Sequence, residues 1–194
     1  MEAVLERGDI QFFFRPGVQP AEGKEVALSV QQLFLVLSPA GLGMHRRIRI
    51  GKKRMPERRR DRFWARVERV GSLQRVLGDQ LEDEQYSTKT RGERFQPGAR
   101  PVAQGSYELV RHDDHIHLRY RVEPFDFVDA PDELRVPEDG DHLVLFEAPP
   151  GTRATWTHAG DIGSLDAQGT EVVLCGACKS HAPDAYAGSP QSAP

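Results

Sequence analysis

The chain has 194 residues and a mass of 21.8 kDa, with 38% apolar and 28% charged residues, which suits one globular domain with a real core. Its 26 basic and 29 acidic residues leave a formal net charge of −3, which excludes a histone-like or polybasic protein and makes the placement of charge matter more than its total. Met1 to Asp9 has no apolar leader stretch, the run Leu33 to Leu37 is too short for a bilayer, and Asn is absent, so a soluble cytoplasmic protein without N-glycosylation or membrane attachment is expected.

Ile10 to Phe14, dense in β-formers and closed by Arg15-Pro16, predicts a first strand, and the Pro/Gly-rich segment to Lys24 a loop. Val26 to Leu37 follows; its second half reads as a buried strand, while Ser29 to Gln32 fits a helical turn as well. In Arg47-Ile48-Arg49-Ile50 the period of two sends the isoleucines inward and the arginines outward. Phe63 to Val70 predicts a strand with Phe63, Ala65 and Val67 on one side. Ser72 then caps a helix to Leu81 whose stripe is Leu73, Val76, Leu77 and Leu81.

From Tyr86 the β pattern returns. Tyr86 to Thr90 is one strand, and Tyr107 to Arg111 and His115 to Val122 form a hairpin turned at His112-Asp113-Asp114, with Ile116, Leu118, Tyr120 and Val122 on one face. A second hairpin is expected from Leu134 to Val136 through Glu138-Asp139-Gly140 to Leu143 to Phe146, with last strands at Arg153 to Thr157 and Val172 to Leu174. Short strands with a single helix predict a mainly β domain over residues 1–181, an antiparallel barrel or sandwich, followed by a disordered tail over 182–194. The core should contain Phe12, Phe14, Leu33, Leu35, Ile48, Ile50, Leu118 and Tyr120 besides the helical stripe.

Phosphate-binding, dinucleotide-binding, zinc-protease and nucleophile-elbow signatures are all missing, which removes the main support for the common kinases, dehydrogenases, zincins and α/β hydrolases. The opening Arg7-Gly8-Asp9-Ile10 with Phe12-Phe13-Phe14-Arg15-Pro16, and Thr88-Lys89-Thr90-Arg91-Gly92 further on, resembles a β-rich bacterial family with no known function. The likeness covers roughly two thirds of the chain on pattern alone and carries over no site residue or cofactor. Arg7-Gly8-Asp9 itself is expected to form a turn before the first strand.

Several clusters carry chemistry. Cys175, Cys178 and His181 have zinc-like spacing but lack a fourth ligand, so two ordinary thiols on a loose tail are the plainer reading. His112, His115 and His117 are the densest histidine group. On a strand His115 and His117 share a face and could share a metal in a metal-dependent enzyme, although Arg119 and Arg121 beside them disfavour a cation. The strongest signal is charge segregation: ten basic residues against two acids between His45 and Arg62, and twelve acids against two arginines between Glu123 and Glu171. The two segments could simply pair with each other. The sharper expectation is a basic face of Arg47, Arg49, Lys52, Lys53, Arg58, Arg60, Lys89 and Arg91, flanked by Phe63 and Trp64, that binds a phosphorylated small molecule or nucleic acid. A protein-interaction or structural role is the third alternative.

Overall fold

The strand expected at Ile10 to Phe14 belongs to a much longer one. A computed structural model describes residues 2–20, 29–90, 92–125, 131–148, 150–151 and 153–176, and in it β1 (Glu2–Pro16) buries Ile10, Phe12 and Phe14 completely. The tripeptide Arg7-Gly8-Asp9 lies inside β1 and is no turn. A Cβ on Gly8 would sit 2.1 Å from the carbonyl oxygen of Ser38, so glycine is what allows the neighbouring strand to pack so closely.

After the short β2 (Gln19–Pro20), the strands β3 (Val30–Pro39), β4 (His45–Ile50) and β5 (Arg62–Gly71) form an antiparallel meander with β1. Ser29 to Gln32 opens into β3 with no helical turn. The chain then crosses the outside through α1 (Leu73–Leu81), β6 (Glu84–Thr88) and β7 (Gly92–Gln96), the last two joining β2 in a small second sheet. It continues through β8 (Arg100–His112), β9 (His115–Pro124), β10 (Asp139–Glu147), β11 (Trp156–Thr157), a 3-10 helix (Ile162–Asp166) and β12 (Glu171–Cys175). Eight strands close an antiparallel barrel in the order β1-β3-β4-β5-β12-β10-β9-β8, with β8 returning to β1. Two meanders thus meet first strand to first and last strand to last.

The predicted hairpin at Leu134 to Phe146 does not form. Leu134 and Met55 are buried with the barrel core, and the segment is tied across the barrel end by the Met55 amide donating to the Arg135 carbonyl at 2.9 Å. β10 pairs instead with β9 and β12. The alternation in that run belonged to an end plug and a central strand, which periodicity alone does not separate. The β8–β9 hairpin turns on Asp113-Asp114 as expected, and Asp113 takes the left-handed conformation such two-residue turns require (φ 55°).

Inside, the aliphatic and aromatic side chains of all eight strands interdigitate, including Leu33, Leu35, Ile48, Ile50, Phe63, Leu118 and Tyr120. At the end opposite Leu134, the 3-10 helix brings Leu165 over the opening and Arg46 turns inward. Arg46 is 1% exposed. Its NH1 and NH2 donate to the two carboxylate oxygens of Glu6 at 2.6 and 2.9 Å, and its Nε donates to Asp166 at 2.6 Å. Tyr107 donates its hydroxyl to the same Glu6 at 2.6 Å, and burial together with that bond pushes its phenol above the ordinary range. Burial opposes the charge on Arg46, but Glu6 and Asp166 outweigh it and raise its pKa.

Ser72 caps α1 as expected, accepting from the Arg75 amide at 3.3 Å. Val76 and Leu77 are buried against Phe13, Phe34, Val36 and Ala99 on the outside of the barrel. Leu73 and Leu81, expected in the core, are 45% and 48% exposed. A straight nine-residue helix lies on a convex wall, so its middle turn touches and its ends project past the Phe13–Phe34 stack. Among the described residues no helix is long and apolar enough to cross a membrane.

Candidate anion-binding groove

Alternation along β4 divides its arginines between two environments. Arg46 is in register with Leu37 and enters the barrel, whereas Arg47 and Arg49, opposite Val36 and Phe34, leave its outer face. On β5 the same rule turns Trp64, Arg66 and Glu68 outward beside them. With α1 and the small sheet standing above this face, a groove of about 1170 Å³ results. Arg15, Arg47, Arg49, Lys52, Lys53, Arg66 and Arg69 line it, against the carboxylates Glu68 and Glu84.

These cations differ in how far they are already committed. Arg47, expected on an open face, leaves the barrel but is only 3% exposed, because α1 covers it. It donates to the Val76 carbonyl at 2.7 Å and to Asp79 at 2.6 Å, and it lies over the Phe34 ring, so it fastens the helix to the wall. Asp79 in turn has its carboxyl held below the ordinary range, chiefly by the Arg47 hydrogen bond. Glu68 sits 3.3 Å from the Nε of Arg47 and 3.2 Å from the Nε of Arg49, close enough to pair in charge but off the line of a hydrogen bond. Arg49 lies over Trp64 at 5.3 Å, with only this Nε edge facing a carboxylate. Lys53 pairs with Glu133 at 2.9 Å. Arg66 is exposed and, among the described residues, its side chain makes no hydrogen bond or ion pair. Gly51 lets the loop after β4 rest on Trp64: a Cβ there would meet the Trp64 carbonyl at 2.9 Å and its ring at 3.3 Å.

Of the residues predicted for a basic face, Arg47, Arg49, Lys52 and Lys53 do come together. Arg58 and Arg60 do not line the groove; they are exposed on a loop whose centre is Asp61. Burial opposes the charge of Asp61, but Arg54 at 2.8 Å and the amides of Arg58 and Glu57 hold its pKa at about 2. That loop docks on the end of β12, where the Gly176 amide donates to the Asp61 carbonyl. Lys89 is exposed at the β6–β7 turn, and Arg91 lies outside the described residues. Phe63 is no stacking group; it points into the core, with Arg54 over its ring at 4.7 Å. Alternation along β5 sets Arg66 on the outward face with Trp64, but Arg15, Arg69 and Tyr86 had no local signal, since β1, β5 and β6 meet at the groove only through the closed topology. The acidic segment reaches the basic one at Lys53–Glu133 and Arg46–Asp166, while Glu6, Asp61, Glu68 and Asp79 supply other partners.

The histidines gather elsewhere on the outer wall. His112, His115 and His117 follow one another with ring centres 5.3 and 5.1 Å apart, and His158 approaches His115. Asp114 bridges the Nδ1 of His115 and the Nε2 of His158, and Asp141 bridges the Nδ1 of His117 and Arg119. Burial opposes the charge of Asp141, but His117 and Arg119 overcome this and lower its pKa. Among the described residues no three His, Cys, Asp or Glu side chains are placed to hold a metal ion. Cys175 is no tail residue: it ends β12, buried beside Leu143. Cys178, His181 and the predicted tail lie outside the described residues.

No family model, no curated protein and no solved structure matches the chain. The groove can therefore be read only through its own chemistry: rigid guanidinium groups on a barrel wall, some spent on internal carboxylates and some not, around a half-buried indole.

Proposed function

We propose that the protein is a binding module for an anionic, phosphate-bearing ligand, held in the groove over β4 and β5. The observation that carries this reading is that, of the cations lining the groove, Arg15, Arg47, Lys53 and Arg69 are already paired with Glu84, Asp79 and Glu133, whereas Arg66 makes no side-chain hydrogen bond or ion pair among the described residues and Arg49 turns its Nε edge alone to a carboxylate. Guanidinium groups bind phosphate oxygens through paired, charge-assisted hydrogen bonds. Mounted on adjacent strands, these two are held more rigidly than surface lysines on a loop.

Retention of the full chain on heparin tests this. Wild type should be retained at low salt, and Arg49→Glu with Arg66→Glu should weaken retention by roughly ten-fold or more. Arg58→Glu with Arg60→Glu, off the groove, should change little. Equal losses in the two double variants, or no retention of wild type, would refute the assignment of the groove.

A further inference from the structure

We propose that the ligand of this groove is single-stranded nucleic acid, its bases stacked and its edges read as well as its phosphates bound; this rests on the anion reading above and narrows it. A site for bare phosphate needs only cations and amides at one point. This groove spreads its cations over several strands and interleaves them with two other kinds of group. The first is aromatic surface: Trp64, roofed by the Arg49 guanidinium at 5.3 Å, and Tyr86, 39% exposed on the wall formed by β6. Both an indole–guanidinium stack and an exposed phenol offer flat faces to an unpaired base.

The second is amide side chains. Gln31 and Gln168 line the groove and are exposed, and their side-chain amides make no hydrogen bond among the described residues. A primary amide presents a donor and an acceptor side by side, which matches the edge of a base but adds little for a sulfated or polyphosphate chain. Arg66, which lines the same groove, is available for the backbone phosphates. A duplex keeps its base faces stacked on one another, so Trp64 and Tyr86 would find no face to use, and the glutamines would reach only the edges left in its grooves. The groove volume of about 1170 Å³ exceeds what a single small ligand fills.

The test is fluorescence anisotropy with the full chain at low salt, using four probes: a roughly 12-nucleotide oligouridylate, an abasic strand of equal charge, a duplex of the same length, and polyglutamate. The oligouridylate should bind at least roughly ten-fold more tightly than the other three, and Tyr86→Ala should erase most of that margin without affecting the abasic strand. Trp64→Leu should do the same; Tyr86, being exposed, carries the test should the Trp64 variant fail to fold. Equal binding of the abasic strand, the duplex or polyglutamate overturns the inference and leaves a general anion site. Insensitivity to Tyr86→Ala overturns it too. No binding of any probe removes both this inference and the anion reading.

Discussion

Arg46 and Arg49 are three positions apart on one strand and face opposite sides of the barrel wall. Arg46 is enclosed with its donors spent on Glu6 and Asp166, whereas Arg49 lies on Trp64 with one edge turned to a shared carboxylate. Arg47, between them in sequence, also lies between them in character, since it faces outward but is consumed in holding α1. A basic run therefore does not mark a binding face by its charge. What distinguishes a structural arginine from a ligand-binding one is whether its donors already have acceptors, and strand parity with the topology around it decides that.

The largest effect should come from breaking the enclosed end. Arg46→Ala leaves Glu6 buried without its cation and should cost about 3–5 kcal/mol of unfolding free energy in urea titrations. Arg46→Met combined with Glu6→Leu should recover part of that loss, because no buried charge is left unpaired: Asp166 is half-exposed, and the Tyr107 hydroxyl loses its acceptor. A loss below about 1 kcal/mol in the single variant would place Arg46 with the exposed pairs instead.

A second buried polar group separates the interior from the wall by its pH response. His142 faces the core near the Tyr120 hydroxyl, and burial lowers its pKa to about 4. In the unfolded chain a histidine titrates near ~6.5, so on acidification the unfolded state takes up its proton first. Stability from this group is full above ~6.5 and falls as the pH drops towards about 4. His142→Leu should flatten the unfolding midpoint across that window; an unchanged slope would mean that His142 does not control it.

A smaller effect concerns the intermediate case. Asp79→Ala removes the carboxylate that holds Arg47; Arg47 stays nearly enclosed but keeps Glu68 and the Val76 carbonyl beside it, so the cost should be about 1–3 kcal/mol. The same change raises the net positive charge at the groove, so heparin retention should increase. Lower retention would mean that the position of α1, rather than local charge, governs the site.

Much of the barrel was legible. Continuous apolar runs marked the strands at Phe12-Phe14 and Leu33-Leu37, period-two alternation marked the inward faces at Ile48-Ile50 and Leu118-Tyr120, and Ser72 with Val76 and Leu77 marked the helix. The first half of β1 was not, because Glu2 to Gly8 sets Ala3, Val4 and Leu5 between charged residues without a period of two, and pairing with β8 holds it as strand. Leu134 to Val136 looked like a strand because a short apolar plug has the same pattern. For the groove, the sequence located the basic segment and set Arg66 on one face with Trp64, but could not divide Arg46 from Arg47 from Arg49 by function, show that Arg66 is uncommitted, or bring in Arg15. Those depend on which strands close against which, and no residue pattern within one strand encodes that.

On the proposed reading, a few particular arginines on the wall, and not the basic segment as a whole, hold the anion. The salt dependence of the affinity for inorganic polyphosphate, measured for wild type, Arg66→Ala and Arg58→Ala, addresses it most directly. The account predicts a linear fall of log affinity with log salt whose slope decreases by about one released counterion in Arg66→Ala and stays unchanged in Arg58→Ala. An equal decrease in both variants, or the wild-type slope preserved in Arg66→Ala, would contradict it.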